Sequence, residues 1–288
     1  MSRRIDAHQH FWGYAPEAYP WIPAGTPLQR DWLPRDLEQL QGPLGLRGAI
    51  AVQARQSLEE TRWLLELADR NASILGVVGW VDLRSEQVEE QLAAFAQHPK
   101  LVGVRHVAQD EPDERFLVGD EFTRGIEALG GFGLRYDLLI YPRQLPAVIE
   151  LVQRFPSQPF VLDHCAKPQI AEGRMEPWVE RITQLAGHAN VWCKVSGLVT
   201  EAEHDSWSLE TLLPYLAVVE SAFGRHRLMW GSDWPVCLLA SSYERWLAAA
   251  QEWAGGWSEA ERDAFFGGNA ARFYGVGSDP DTDGSKAR

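Results

Sequence analysis

Cysteine is scarce in this chain: three residues, Cys165, Cys193 and Cys237, are spread over 288 positions. An odd, widely spaced set with no export signal argues against a disulfide framework. It fits buried structural thiols in a reducing cytoplasm. Basic residues are also in deficit, 27 Lys+Arg against 40 Asp+Glu, for a formal net charge of −13. A protein that tracks nucleic-acid phosphates needs a basic face, so that class falls away. No stretch approaches the roughly 18 uncharged apolar residues of a membrane-spanning helix. The opening MSRRIDAHQHFW has neither an apolar run nor a small-residue cleavage site, and does not read as a secretory signal. A Gly-rich dinucleotide fingerprint is missing after every apolar run, which weakens an open doubly wound sheet.

What is present is a large potential core, with 45% hydrophobic and 11% aromatic residues, including thirteen tryptophans. Short apolar runs at 5–10, 48–53, 74–81, 101–107, 134–141, 160–164, 191–195 and 228–231 are mostly continuous rather than alternating. That is the pattern of parallel strands covered by helices. Between them lie amphipathic segments. Ser57-Leu58-Glu59-Glu60 reads as a capping box opening a helix, Ser85 opens another, and further helices fit 145–155, 175–186, 208–223, 243–253 and 258–266. Pro214 is expected to kink the fifth of these or mark its start. Eight strands alternating with helices predict one (β/α)8 TIM-type barrel over residues 1–275. The connection 11–46, rich in Pro, Trp and Tyr with a short helix near Leu37, is expected to lie over the pocket as a lid. Residues 276–288 are Gly/Ser/Asp-rich and expected to be disordered.

In a barrel the strand ends carry the chemistry. His8 and His10 in Asp6-Ala-His-Gln-His10 alternate with Ala7 and Gln9 and point the same way, so they can share a metal ion. In Asp163-His164-Cys165-Ala166-Lys167, strand parity admits only one of the first two to the pocket, and His164 is the choice, with Lys167 at the rim. Asp233, in Gly231-Ser-Asp-Trp-Pro235, can ligate a metal or act as general base on water. Arg55, Trp80, Arg105, Lys167, Lys194 and Trp234 stand at or just after strand ends as candidates for substrate contact, and His106 as a catalytic donor. The other histidines, His98, His188, His204 and His226, read as solvent-exposed.

Taken together, Asp6-Ala-His-Gln-His-Phe-Trp12, Gly103-Val-Arg-His106, Leu162-Asp-His-Cys-Ala-Lys-Pro168, Cys193-Lys-Val-Ser-Gly197, Gly231-Ser-Asp-Trp-Pro235 and Asn269-Ala-Ala-Arg-Phe-Tyr274 resemble the amidohydrolase superfamily. Within it the chain looks most like the amidohydrolase 2 branch that includes sugar-lactone hydrolases. The resemblance spans about residues 4 to 275 and implies a distorted barrel. It also implies a divalent metal held by His8, His10 and Asp233, with His164 matching the branch's sixth-strand histidine. The fifth-strand ligand of the superfamily has no counterpart in Leu134-Arg-Tyr-Asp-Leu-Leu-Ile-Tyr141, which departs from a two-metal centre. One zinc ion is the cofactor this set suggests, and some lactonases of the branch work without tightly held metal.

The activity so implied is hydrolysis of a sugar (aldono-) lactone by a cytoplasmic enzyme. Asp233 would take a proton from water, His106, Arg105 or Lys194 would donate to the oxyanion, and His164 or protonated Asp233 would return the proton. The alternatives are a carboxylate-lactone hydrolase of aromatic catabolism or a non-oxidative decarboxylase on the same barrel, and a catalytically silent binding protein. Arg55, Arg105, Lys167 and Lys194 converging on one pocket would favour a dicarboxylate. The partner expected is a small-molecule lactone, not nucleic acid or membrane, and a homo-oligomer is compatible with the sequence.

Overall fold

The protein is described by a computed structural model covering residues 4–277. Eight strands form it: β1 (Arg4–Gln9), β2 (Leu46–Val52), β3 (Ile74–Gly79), β4 (Leu101–His106), β5 (Arg135–Leu138), β6 (Phe160–Leu162), β7 (Val191–Val195) and β8 (Leu228–Trp230). They lie parallel in the order β1 to β8. The sheet closes at its carboxyl rim, where His10 N donates to Trp234 O at 2.7 Å and Asp233 N to His8 O at 2.8 Å. Register shifts between β1 and β2, β2 and β3, and β3 and β4 make it an irregular (β/α)8 barrel.

The helices are α1 (Pro34–Leu44), α2 (Leu58–Arg70), α3 (Val88–Ala96), α4 (Asp120–Gly131), α5 (Leu145–Arg154), α6 (Trp178–Ala186), α7 (Leu209–Phe223), α8 (Tyr243–Trp253), α9 (Glu259–Asp263) and α10 (Asn269–Tyr274). Pro214 lies inside α7 and does not mark its start. Helix α4 has no clear signature in the sequence, because Gly125, Gly130 and Gly131 lower helix propensity. Gly125 is there for packing, since a Cβ would stand 2.1 Å from the carbonyl oxygen of Leu83. None of the helices among the described residues is long and apolar enough to cross a membrane.

Between sheet and helices lies the main apolar layer, including Leu64, Leu92, Ile126, Val148, Ile182 and Val219. A smaller inner cluster joins Ile5, Ile50, Val52, Val78, Val161 and Met229 to Phe273 and Tyr274 of α10. Ala7 belongs to it as well, so β1 does not simply turn Ala7 away from the bore. The register shift between Asp6 and Gln9 then lets His8 turn inward too. Val276 packs against the same cluster; of the tail expected to be disordered, residues 278–288 lie outside the described residues. Cys165, Cys193 and Cys237 are buried free thiols.

Candidate active site

Four side chains meet at the carboxyl end of the bore. His8 Nε2 lies 3.1 Å from His10 Nε2, and Asp233 Oδ1 lies 3.7, 3.3 and 3.9 Å from Nε2 of His8, His10 and His164. His10 Nδ1 donates to the carbonyl of Val52 at 2.8 Å, which leaves its Nε2 with a free lone pair. His8 Nδ1 faces both a donor, Lys194 Nζ at 3.1 Å, and an acceptor, Asp163 Oδ1 at 3.3 Å. It can therefore adopt either tautomer. Burial opposes ionisation of His8, His164 and Asp233. It holds His8 well below the ordinary histidine range and His164 at about 4. Burial also works against the Asp233 carboxylate, but the neighbouring histidines outweigh it and hold Asp233 well below the usual carboxylate range.

Of Asp163 and His164 it is His164 that lines the cavity; Asp163 also turns inward, but lies fully buried beside Lys194 and Arg105. β6 stops at Leu162, and His164, Cys165, Ala166 and Lys167 follow with φ of 53°, 53°, 60° and 50°. Four successive left-handed non-glycine residues are strained, at roughly 1–2 kcal/mol each. The turn is held by Lys167 N donating to His164 O at 2.8 Å and by Trp178 Nε1 donating to Cys165 O at 2.8 Å. His164 is seated by Ser196 Oγ, 2.9 Å from its Nδ1. Gly197 borders the ring so closely that a Cβ would stand 2.5 Å from that nitrogen, at a φ of +61°. Gly197→Ala is therefore expected to displace His164, lowering stability by about 1–3 kcal/mol and turnover by more than tenfold, read from Tm and kcat. Unchanged kinetics would show that His164 does not need this seat.

Beneath His8 is a layer of buried charge. Lys194 Nζ lies 2.5 Å from Asp137 Oδ2 and 3.0 Å from Asp163 Oδ1, and Arg105 Nη1 lies 3.1 Å from Asp163 Oδ2 and 3.4 Å from His8 Nε2. Tyr274 donates to Asp137 at 2.8 Å, and Arg105 Nη2 donates to the carbonyl of Gln53. Two anions thus meet two cations, as a dry interior requires.

Above the floor opens a cavity of about 780 Å³ lined by His10, His164, Asp233, Arg55, Arg105 and Lys167 among others. The connection after β1 forms one wall with Glu17, Ala18, Pro20, Trp21 and Pro23, Trp21 being 42% exposed. Glu17, Trp21, Gln109, Asp110, Thr200 and Glu201 are lining residues that sequence reasoning did not single out. They sit on irregular loops, where periodicity is silent. His8 lies just behind this lining, and four candidates lie elsewhere. Lys194 is fully buried behind His8 and cannot reach a ligand in the cavity. His106 faces away from Arg105, its neighbour on a regular strand. It pairs with Glu111 at 2.7 Å, stacks on Phe116 and accepts from Trp80 Nε1 at 3.3 Å, so neither His106 nor Trp80 lines the cavity. Trp234, next to Asp233, is buried against Phe11 and Trp32. His98 and His188 are half-buried and His204 and His226 exposed; none lines the cavity.

The floor fits a divalent cation. Ligands about 2.0–2.1 Å from a tetrahedral zinc stand roughly 3.3–3.4 Å apart. The 3.1–3.7 Å separations among His8, His10 and Asp233 bracket that value, and His164 Nε2 stands beside this trio, 3.9 Å from Asp233 Oδ1. Two imidazole lone pairs at 3.1 Å repel unless a proton or a cation lies between them. The alternative trio of His8, Asp163 and His164 is close enough in space, but Lys194 and Arg105 already neutralise Asp163.

An irregular (β/α)8 barrel with imidazoles at the ends of its first and sixth strands and a carboxylate after its eighth defines a class of barrel enzyme whose chemistry sits at the carboxyl rim. The chain belongs to the amidohydrolase family, whose model matches residues 5–276. It is 45% identical to an L-fucono-1,5-lactonase of Burkholderia multivorans, over 94% of this chain and 95% of the relative. It is 40% identical to an L-fucono-1,5-lactonase of Burkholderia ambifaria, over 95% and 96%. A crystal structure of an amidohydrolase from Burkholderia multivorans with bound zinc superposes with a TM-score of 0.92 at 44% identity, covering 96% of this chain and all of that one.

Proposed function

We propose that this chain is a hydrolase that opens a sugar lactone to the free acid, with L-fucono-1,5-lactone and its close 1,5-lactone relatives as substrates. The observation that carries this is the convergence of His10, His164 and Asp233, with His8 directly behind them, at the floor of a cavity large enough for a sugar ring. The charge of the cavity favours a neutral ligand. Arg105 is engaged by Asp163 at 3.1 Å, Lys167 by Glu201 at 3.8 Å and Arg55 by Glu59 at 3.6 Å, which leaves no cation unpaired for a dicarboxylate. Lys194, the fourth cation of that alternative, is out of reach.

His8, His10 and Asp233, with His164 beside them, would hold one divalent ion, for which zinc suits the nitrogen-rich donor set. Bound there, it supplies Lewis acidity that polarises a carbonyl and acidifies water. The chain's own groups do the rest. Asp233, kept ionised by its histidine neighbours, accepts a proton from the attacking water. The water oxygen bonds to the ring carbonyl carbon, and Arg105 at the cavity wall donates to the oxygen that gains charge. When the ring C–O bond breaks, the proton on Asp233 passes to the departing ring oxygen, leaving a hydroxy acid. Trp21 offers an exposed aromatic face to the apolar side of a sugar.

The test is hydrolysis of a panel of aldono-1,4- and 1,5-lactones by proton release, on purified and chelator-treated protein, with zinc measured by elemental analysis. Opening of 1,5-lactones, with about one zinc per chain lost on chelation, is the expected result. A protein that opens no lactone in either form would overturn the reading. Hydrolysis surviving complete removal of metal would overturn the cofactor assignment alone.

A further inference from the structure

The sequence Ser57-x-x-Glu60 has the form of a capping box, in which the Glu60 carboxylate returns to the backbone N–H of Ser57. Half of that arrangement is present. Ser57 Oγ accepts from the N–H groups of Glu59 and Glu60, at 3.1 and 3.4 Å. Glu60 goes elsewhere. Its Oε2 accepts from the backbone N–H groups of Ala54 at 3.0 Å and Arg55 at 2.7 Å, and its Oε1 accepts from Tyr19 Oη at 3.0 Å. A carboxylate only 2% exposed thus ties the loop after β1 to the loop after β2.

Both loops are walls of the cavity: Ala18, Pro20 and Trp21 come from the first, Ala54, Arg55 and Gln56 from the second. A second tie closes the circuit, since Trp21 Nε1 donates to the carbonyl of Ala54 at 3.0 Å. The Tyr19 ring also lies under the Arg55 guanidinium, 5.8 Å from its centroid. Helix capping accounts for none of these contacts. Burying a carboxylate here is costly, and burial pushes Glu60 up to about 7 against the pull of its three donors and of Arg55. A leucine would fill the space without that cost but would leave the three donors without their acceptor.

We infer that Glu60 is a positioning residue for substrate binding: it fixes the Tyr19–Trp21 wall and the Arg55 wall at the spacing the ligand needs. It touches none of His8, His10, His164 and Asp233, so it acts on affinity and not on the chemical step. The inference rests on the lactonase reading for its substrate, while the clamp itself can be measured without one.

Two variants test it, Glu60→Gln, which keeps the shape but cannot accept from all three donors, and Tyr19→Phe, which removes a single hydroxyl and spares the fold. Hydrogen exchange followed by mass spectrometry is expected to show segments 14–23 and 53–57 exchanging about tenfold faster in Glu60→Gln, with helix α2 unchanged. KM for the lactone is expected to rise about tenfold in Glu60→Gln and less in Tyr19→Phe, with kcat within twofold. The double variant should cost less than the sum of the two, because one contact is shared. Unchanged exchange in both segments would overturn the clamp whatever the substrate. Unchanged KM in an active protein would overturn its role in binding. Faster exchange in a protein that opens no lactone would uphold the clamp and sink the lactonase reading instead.

Discussion

Asp233→Asn is expected to lower kcat by roughly 10³-fold with little change in Tm, the middle of the range for losing a positioned general base. The substitution is nearly isosteric, and Asn tolerates the left-handed backbone at this position, φ 56°, as well as Asp does. The backbone bonds that close the barrel, Asp233 N to His8 O and His10 N to Trp234 O, do not involve the side chain. What disappears is the capacity to take a proton, because a carboxamide is not basic. One of the four converging donors is weakened as well, so metal content is measured alongside kcat. Activity within tenfold of wild type at full metal content would mean that another group is the base. Asp233→Ala is a poorer probe, because it adds backbone strain to the chemical loss.

Lys194→Met should cost about 3–5 kcal/mol, the usual consequence of removing one partner from a buried ion pair. The methionine fills the volume but leaves Asp137 and Asp163, both fully buried, with only Arg105, His8 and Tyr274 as partners. For a chain of this size that is a fall in Tm on the order of 10 °C. The sign of the cause is testable. Adding Asp137→Asn removes the uncompensated charge, so the double variant should recover more than half of the lost stability. A Tm within two degrees of wild type, or no recovery in the double variant, would show that the layer is not held by charge balance. Turnover should fall too, since Lys194 stands 3.1 Å from His8 Nδ1 and helps set its tautomer.

Arg105 and His106 show how far strand parity carries. The strand β4 is regular, pairing Arg105 with Asp137 and His106 with Leu138, so only one of the two faces the bore. Applied to β4, that rule places Arg105 at the cavity and turns His106 out to Glu111. Applied to β6 it misleads, because the strand has ended by Leu162 and a left-handed turn carries both Asp163 and His164 inward. No glycine or asparagine stands at 164–167 to announce positive φ. The turn exists because Trp178, Ser196 and the Cys193 side of β7 hold it, and those contacts are distant in sequence.

By itself, then, the sequence determined the barrel and the four side chains, His8, His10, His164 and Asp233, that meet at its carboxyl end. Covered parallel strands must be continuously apolar, and His-x-His at a strand end puts both rings on one side. An Asp after the last strand is then carried to the same rim. Depth and wall spacing were decided only in three dimensions. Lys194 and Arg105 are both inward cations on strands, yet Lys194 is sealed beneath His8 by Asp137 and Asp163 while Arg105 reaches the cavity. Glu60 looks like a helix cap until the loops after β1 and β2 arrive beside it. Periodicity records which way a side chain points, whereas how far it reaches and what it meets are set by packing between segments remote along the chain.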